Sequence, residues 1–107
     1  MDHRHGLRRR AEINLAVQRK LDTLPSLFNV CDFSFDGLGL YCEDAGLLTI
    51  GEHVRVQLPI SPAHFEAGAE CTDVACHVIW TAPERAGLMV VDHVEAFYTA
   101  MEPFSVQ

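Results

Sequence analysis

The sequence predicts a small, mainly β domain: a six-stranded antiparallel barrel with a short C-terminal α-helix. Three observations predict it. The 107 residues suffice for one compact domain and not for two of ordinary size. Short apolar runs with period-2 alternation recur at close spacing, separated by Gly, Pro and Asp. A sheet of such short strands protects its edges by closing on itself.

In the first strand Ala11, Ile13, Leu15 and Val17 alternate with Glu12, Asn14, Ala16 and Gln18. Asp22, Pro25 and Ser26 in "RKLDTLPS" supply turn chemistry, and "LFNVCDFSF" resumes a strand rich in Phe and Val, so the two form a hairpin. Gly37 and Gly39 in "FDGLGLYC" permit a sharp or bulged change of direction before a third strand. "EDAGLLTIGE" is a connection that ends in a turn at Gly51-Glu52. The fourth strand, "HVRVQLPI", sets Val54, Val56, Leu58 and Ile60 against His53, Arg55 and Gln57. After the loop "SPAHFEAGAE", the strands "CTDVACHVIWTA" and "GLMVVDHV" flank the turn "PERAG". Val94, Phe97, Tyr98 and Met101 share one helical face in the last segment, which Pro103 stops. The expected organisation is one domain over 1–107: an arginine-rich flexible arm over 1–10, the barrel over 11–92 and the helix over 93–103.

Composition narrows the function. Half the residues are hydrophobic, 21% are charged and no repeat appears, as in a soluble globular chain. Runs such as "GLMVV" and "VACHVIW" fall far short of the roughly 20 residues of a membrane helix. The basic N-terminus lacks the apolar core and cleavage site of a secretory signal, so a cytoplasmic location with reduced thiols is expected. Of the four cysteines only Cys71 and Cys76 are close together, and without a second tight pair they predict buried thiols rather than a metal site. No metal or cofactor is expected. The net charge of -7 opposes binding to DNA or RNA. Yet Arg4, Arg8, Arg9 and Arg10 cluster ahead of the first strand, and such a cluster on an acidic body suits a small anion.

Two stretches belong together. Arg4 and Arg8 stand four apart as R-H-G-L-R, and "DFSFDG" reads Asp32-x-Ser34-x-x-Gly37 at the end of a strand two dozen positions later. An R-x-x-x-R before the first strand followed by D-x-S-x-x-G resembles the PilZ domain family. The resemblance runs from Arg4 to Asp92 and includes "LGLYC", "GEHVRVQLPI" and the strand "CHVIW" with its tryptophan. It implies a six-stranded barrel, matching the strand count read from the residues. Because many PilZ domains bind the bacterial second messenger cyclic di-GMP, it also implies a ligand. By position, Arg4 and Arg8 match the family's messenger-binding arm, and Asp32, Ser34 and Gly37 match its barrel-surface motif.

These residue types suit that ligand. A guanidinium fork pairs with phosphate oxygens or with O6 and N7 of guanine, and stacks on its ring. The carboxylate of Asp32 accepts from guanine N1-H and N2-H, which discriminates guanine from adenine. Ser34 reaches a phosphate or base edge, and the missing side chain at Gly37 lets the backbone turn and approach the ligand. Alternation puts Asp32 and Ser34 on the outer face of the strand and Cys31, Phe33 and Phe35 on the inner one. Arg9 and Arg10 either add phosphate contacts or stay solvated. His3, just before Arg4, leaves open whether one messenger or a stacked pair binds.

An arm ordered by the ligand presents a new surface to a protein partner, so the expected mechanism is a ligand-gated interaction switch. The alternative is a PilZ-like interaction module without a nucleotide. An enzyme is not expected, because the six histidines are dispersed and neither a phosphate loop nor a nucleophile elbow is present. The segment "SPAHFEAGAE" and the terminal helix are candidates for partner contact or edge protection.

Overall fold

The computed structural model describes residues 8–41, 48–59 and 72–106. Seven strands and one α-helix occur among them. These are β1 Arg9–Arg19, β2 Ser26–Phe33, β3 Gly37–Tyr41, β4 His53–Gln57, β5 Asp73–Ala82, β6 Arg85–Val90, α1 Val94–Met101 and β7 Ser105–Val106, with a 3-10 turn at Glu102–Phe104. Six strands run in the order β2-β3-β6-β5-β4-β1, and pairing of β1 with β2 closes them into an antiparallel barrel. The segment "SPAHFEAGAE" lies outside the described residues.

Alternation decides what is inside. Val17, Val30, Leu40, Val56, Val74 and Val78 are each at most 1% exposed and point into the barrel. Phe97, Ala100 and Met101 of α1 join that core. Pro103 ends the α-helix but opens a 3-10 turn, and the chain then adds β7, which pairs Val106 with Arg10 and Ser105 with Ala11. Two residues are too short to show period-2 alternation, so no sequence pattern marks this strand.

β1 begins at Arg9, so Arg9 and Arg10, placed in the arm by sequence, are strand residues. The far end of β1 is tied to β4 by Arg19, whose Nε and Nη2 donate to Glu52 at 2.5 and 3.1 Å. Glu52 follows the turn at Gly51, whose φ of 88° is a left-handed conformation that glycine adopts without a steric penalty.

The register is irregular at three places. Between β2 and β3, Val30 faces Leu40 and Asp32 faces Gly39, so Cys31 is an extra residue. Between β5 and β6, Val78 faces Leu88 and Trp80 faces Gly87, so Ile79 is extra. β1 slips against β2 between Arg10 and Ile13. Such bulges bend a strand and re-aim its side chains. Cys31, expected to face inward by simple alternation, is instead half-exposed beside Asp32.

Phe97→Ala is expected to lower unfolding free energy by about 3 to 5 kcal/mol in a denaturant titration, because it removes a fully buried ring from the core. Burial pushes the Cys76 thiol up to about 12, with the charge of Asp92 adding to the effect. A thiol held neutral in the fold contributes stability below its unfolded value near 9, and that contribution is lost as pH rises from there toward 12. Cys76 should therefore resist alkylation at pH 8 until the protein unfolds, while half-exposed Cys31 reacts in the native state; peptide mapping after labelling checks both.

Candidate ligand-binding site

The end of β2 and the residue before β1 meet on the outer wall of the barrel. Arg8 Nε and Nη2 donate to Asp32 Oδ1 at 3.1 and 2.5 Å, joining the two sequence motifs in one ion pair. On the other oxygen, Arg85 Nη2 donates to Asp32 Oδ2 at 3.3 Å. The same Nη2 lies 3.0 Å from Cys31 Sγ, and the Arg85 guanidinium carbon stands 5.8 Å from the centre of the Tyr41 ring. The bond to Cys31, followed by the charges of Cys31 and Asp32, raises Arg85 above the usual arginine range. Exposed ion pairs contribute about 0 to 1 kcal/mol, so this cluster matters less for holding the fold than for gathering charge at one place.

Glycines make room for it. A Cβ on Gly39 would stand 2.2 Å from Asp32 Oδ1, so the carboxylate lies directly on the β3 backbone. A Cβ on Gly87 would stand 2.1 Å from Trp80 Nε1, so the indole lies on β6 in the same way. Gly39 and Gly87 face each other between β3 and β6. Asp32, Gly39, Gly87 and Trp80 thus form one row across four strands, with a side-chain-free floor between a carboxylate and an indole. The bulges at Cys31 and Ile79 sit beside the two ends of that row, next to Asp32 and Trp80.

Ser34 follows the end of β2 and Gly37 opens β3, and across the turn between them Ser34 N donates to Gly37 O at 2.9 Å. Ser34 is only 1% exposed, and its hydroxyl has no hydrogen-bond partner among the described residues. A Cβ on Gly37 would come within 2.7 Å of that hydroxyl and 3.1 Å of Arg8 Nη1. The faces that alternation assigns to Ser34 and Phe35 are corrected here. Ser34 is buried rather than presented on an open face, because the chain leaves the strand after Phe33 and alternation ends with it. The missing side chain at Gly37 clears space for Ser34 and Arg8. Phe35 is half-buried outside the core, 5.8 Å from the ring of Tyr98.

Of the predicted residues, Arg8, Asp32, Ser34 and Gly37 are brought together. Arg9 turns elsewhere, its Nη1 donating to Tyr98 Oη at 3.4 Å, and Arg10 lies opposite Asp32 in the β1–β2 ladder. His3 and Arg4 lie outside the described residues. Trp80, Gly39, Gly87, Arg85 and Tyr41 were missed as site residues. The spacing G-L-G, with one glycine facing the tryptophan strand's partner, was a usable signal for the floor. Nothing in the turn "PERAG" announced that Arg85 reaches β2. Among the described residues, no three His, Cys, Asp or Glu side chains lie close enough to hold a metal ion, and no helix is long and apolar enough to cross a membrane.

No protein-family model and no curated protein matches the sequence. Solved structures do match. The PilZ domain of CeSA from a cellulose-synthesizing bacterium superposes with a TM-score of 0.63 at 13% identity, covering 92% of this chain and 94% of that one. The PilZ domain of YcgR from Escherichia coli, solved with c-di-GMP, gives 0.65 at 12% identity over 92% and 88%. The chain has the PilZ domain fold. At such low identity the fold is retained while most side chains differ, so the PilZ likeness concerns strand order and closure rather than residue roles. The barrel and terminal helix expected from the sequence are both present, with β7 added to the PilZ-type sheet.

Because Trp80 is the chain's one tryptophan, its emission reports on this row. Gly87→Ala should force the indole off β6 and shift the emission maximum, and Leu21→Ala, at a residue 94% exposed, should leave it unchanged.

Proposed function

We propose that this chain is a receptor for cyclic di-GMP, held between the Arg8 segment and the D-x-S-x-x-G turn. The observation that carries the proposal is the Arg8–Asp32 pair beside the buried Ser34 hydroxyl, which has no partner among the described residues. A buried hydroxyl without a partner costs about 1 to 3 kcal/mol, a cost a ligand that bonds it would remove. An exposed guanidinium and a half-exposed carboxylate stand next to it, offering opposite hydrogen-bonding polarity within one side chain's reach.

Cyclic di-GMP fits that polarity. Its guanine N1-H and N2-H donate to a carboxylate, and its phosphates accept from an arginine fork. The chain's overall charge of -7 repels polyanions, so attraction is confined to the arginine-rich segment and favours a compact anion. Arg4 pairs with Arg8 in the R-x-x-x-R motif and is proposed as its counterpart on the ligand. Arg10, opposite Asp32 in the β1–β2 ladder, adds positive potential beside the site, whereas Arg9 is directed toward Tyr98. Ligand binding draws residues ahead of β1 over the barrel wall, and that ordered surface is what a protein partner in the bacterial cytoplasm would recognise. The PilZ domain of YcgR solved with c-di-GMP supports the choice of ligand. Its whole contribution to this chain is by analogy of fold.

Titration calorimetry with cyclic di-GMP is expected to give low-micromolar binding, about -8 kcal/mol. Arg8→Ala and Asp32→Ala each remove a charge-assisted bond of about 1.5 to 3 kcal/mol and should weaken binding at least tenfold. GTP and cyclic di-AMP are the controls. Heat-free titration of the folded wild-type protein would leave an interaction module that does not use the nucleotide.

A further inference from the structure

We propose that Arg85 is a third arginine of the ligand seat, one that keeps hold of Asp32 while Arg8 releases it to grip the ligand. The proposal rests on the cyclic di-GMP reading and assigns separate tasks to the two arginines.

The assignment follows from counting acceptor sites. A carboxylate offers about four, two on each oxygen. Arg8 fills both sites on Oδ1 with Nε and Nη2, whereas Arg85 fills one on Oδ2. A guanine edge brings two donors, N1-H and N2-H, spaced to meet both oxygens of a carboxylate. Oδ2 can take one of them and keep Arg85. Oδ1 can take the other only if Arg8 gives up a bond. Arg8 is therefore the arginine that moves, and its freed fork is then available to a phosphate.

Arg85 is built to stay. It opens β6 opposite Tyr41 in register and reaches across β3 to β2. Its Nη2 is shared between Asp32 Oδ2 and Cys31 Sγ, two acceptors brought to the same side by the bulge at Cys31. The Tyr41 ring lies within cation–π range of its guanidinium. Among the described residues its Nε and Nη1 make no hydrogen bond, and its side chain is 44% exposed. Those donors can meet O6 or N7 of the base whose other edge rests on Asp32, or its ring can stack there. Lysine could not do this, because a single ammonium cannot hold Cys31 and Asp32 and also present a planar fork to the base.

The test is calorimetry with cyclic di-GMP over a range of salt concentrations, for wild type, Arg8→Ala, Arg85→Ala, Arg85→Gln and Arg85→Lys, with circular dichroism confirming that each variant is folded. Arg85→Ala and Arg85→Gln should weaken binding at least tenfold with the wild-type salt dependence kept. Arg85→Lys should recover only part of the loss. Arg8→Ala should weaken binding and also flatten the plot of log K against log salt, as loss of a charged contact to a phosphate does through screening. Wild-type protein that binds while all three Arg85 variants stay within twofold of it overturns the role of Arg85 and leaves the receptor reading standing. A salt slope that falls equally for Arg85→Ala and Arg8→Ala overturns the division of labour, since both would then be phosphate contacts. Wild-type protein that does not bind removes the receptor reading itself, and this inference with it.

Discussion

Closing a sheet of six short strands into a barrel constrains everything else in this molecule. Closure requires the strands to coil tightly, and coiling is concentrated where one strand carries an extra residue or slips against its neighbour. Two of those places are Cys31 and Ile79. Each bulge interrupts alternation and leaves two consecutive side chains facing outward. Asp32 and Trp80 are the second members of those pairs, and both come to rest on glycine. The curvature that buries the core therefore also assembles the outer row on which the site is built.

The core and the site divide the sequence between them. Inward positions are filled by Val, Leu and Phe, with Cys76 behaving as a small buried hydrophobe. Outward positions carry guanidinium groups, and the carboxylate of Asp32 is shared between Arg8 ahead of β1 and Arg85 at the start of β6. On a surface this acidic, two arginines on one aspartate make a local reversal of sign. The cluster keeps a net positive charge and costs little to keep in water, and it can exchange its internal bonds for bonds to an anion that carries both acceptors and donors. The Ser34 hydroxyl, buried and without a partner among the described residues, lies at the edge of the same cluster.

How much of this was legible depends on the range of the signal. Alternation of Ala11, Ile13, Leu15 and Val17, or of Val54 and Val56, is local and marked the strands without help. The ion pair between Arg8 and Asp32 was foreseeable only because both belong to a motif. Arg85 belongs to none, and it sits 53 positions from the carboxylate that it bonds. The pairing of Trp80 with Gly87 needed the register of β5 on β6, which a one-residue bulge alters and no local pattern announces. β7 was invisible for the same reason: two residues pair with β1 because the end of α1 delivers them there.

By itself the sequence determined the class of fold, the inward and outward faces of the regularly alternating strands and the chemical types available for binding, because period, composition and charge are properties of neighbouring residues. Only the tertiary structure decided which of those groups meet. It buried Ser34, turned Cys31 outward, cleared the Gly39–Gly87 floor and brought Arg8 and Arg85 to opposite oxygens of Asp32. Those outcomes depend on how strands are registered and where they bulge as the barrel closes. Register is a relation between distant segments, set by packing of the whole core rather than by any one stretch of chain.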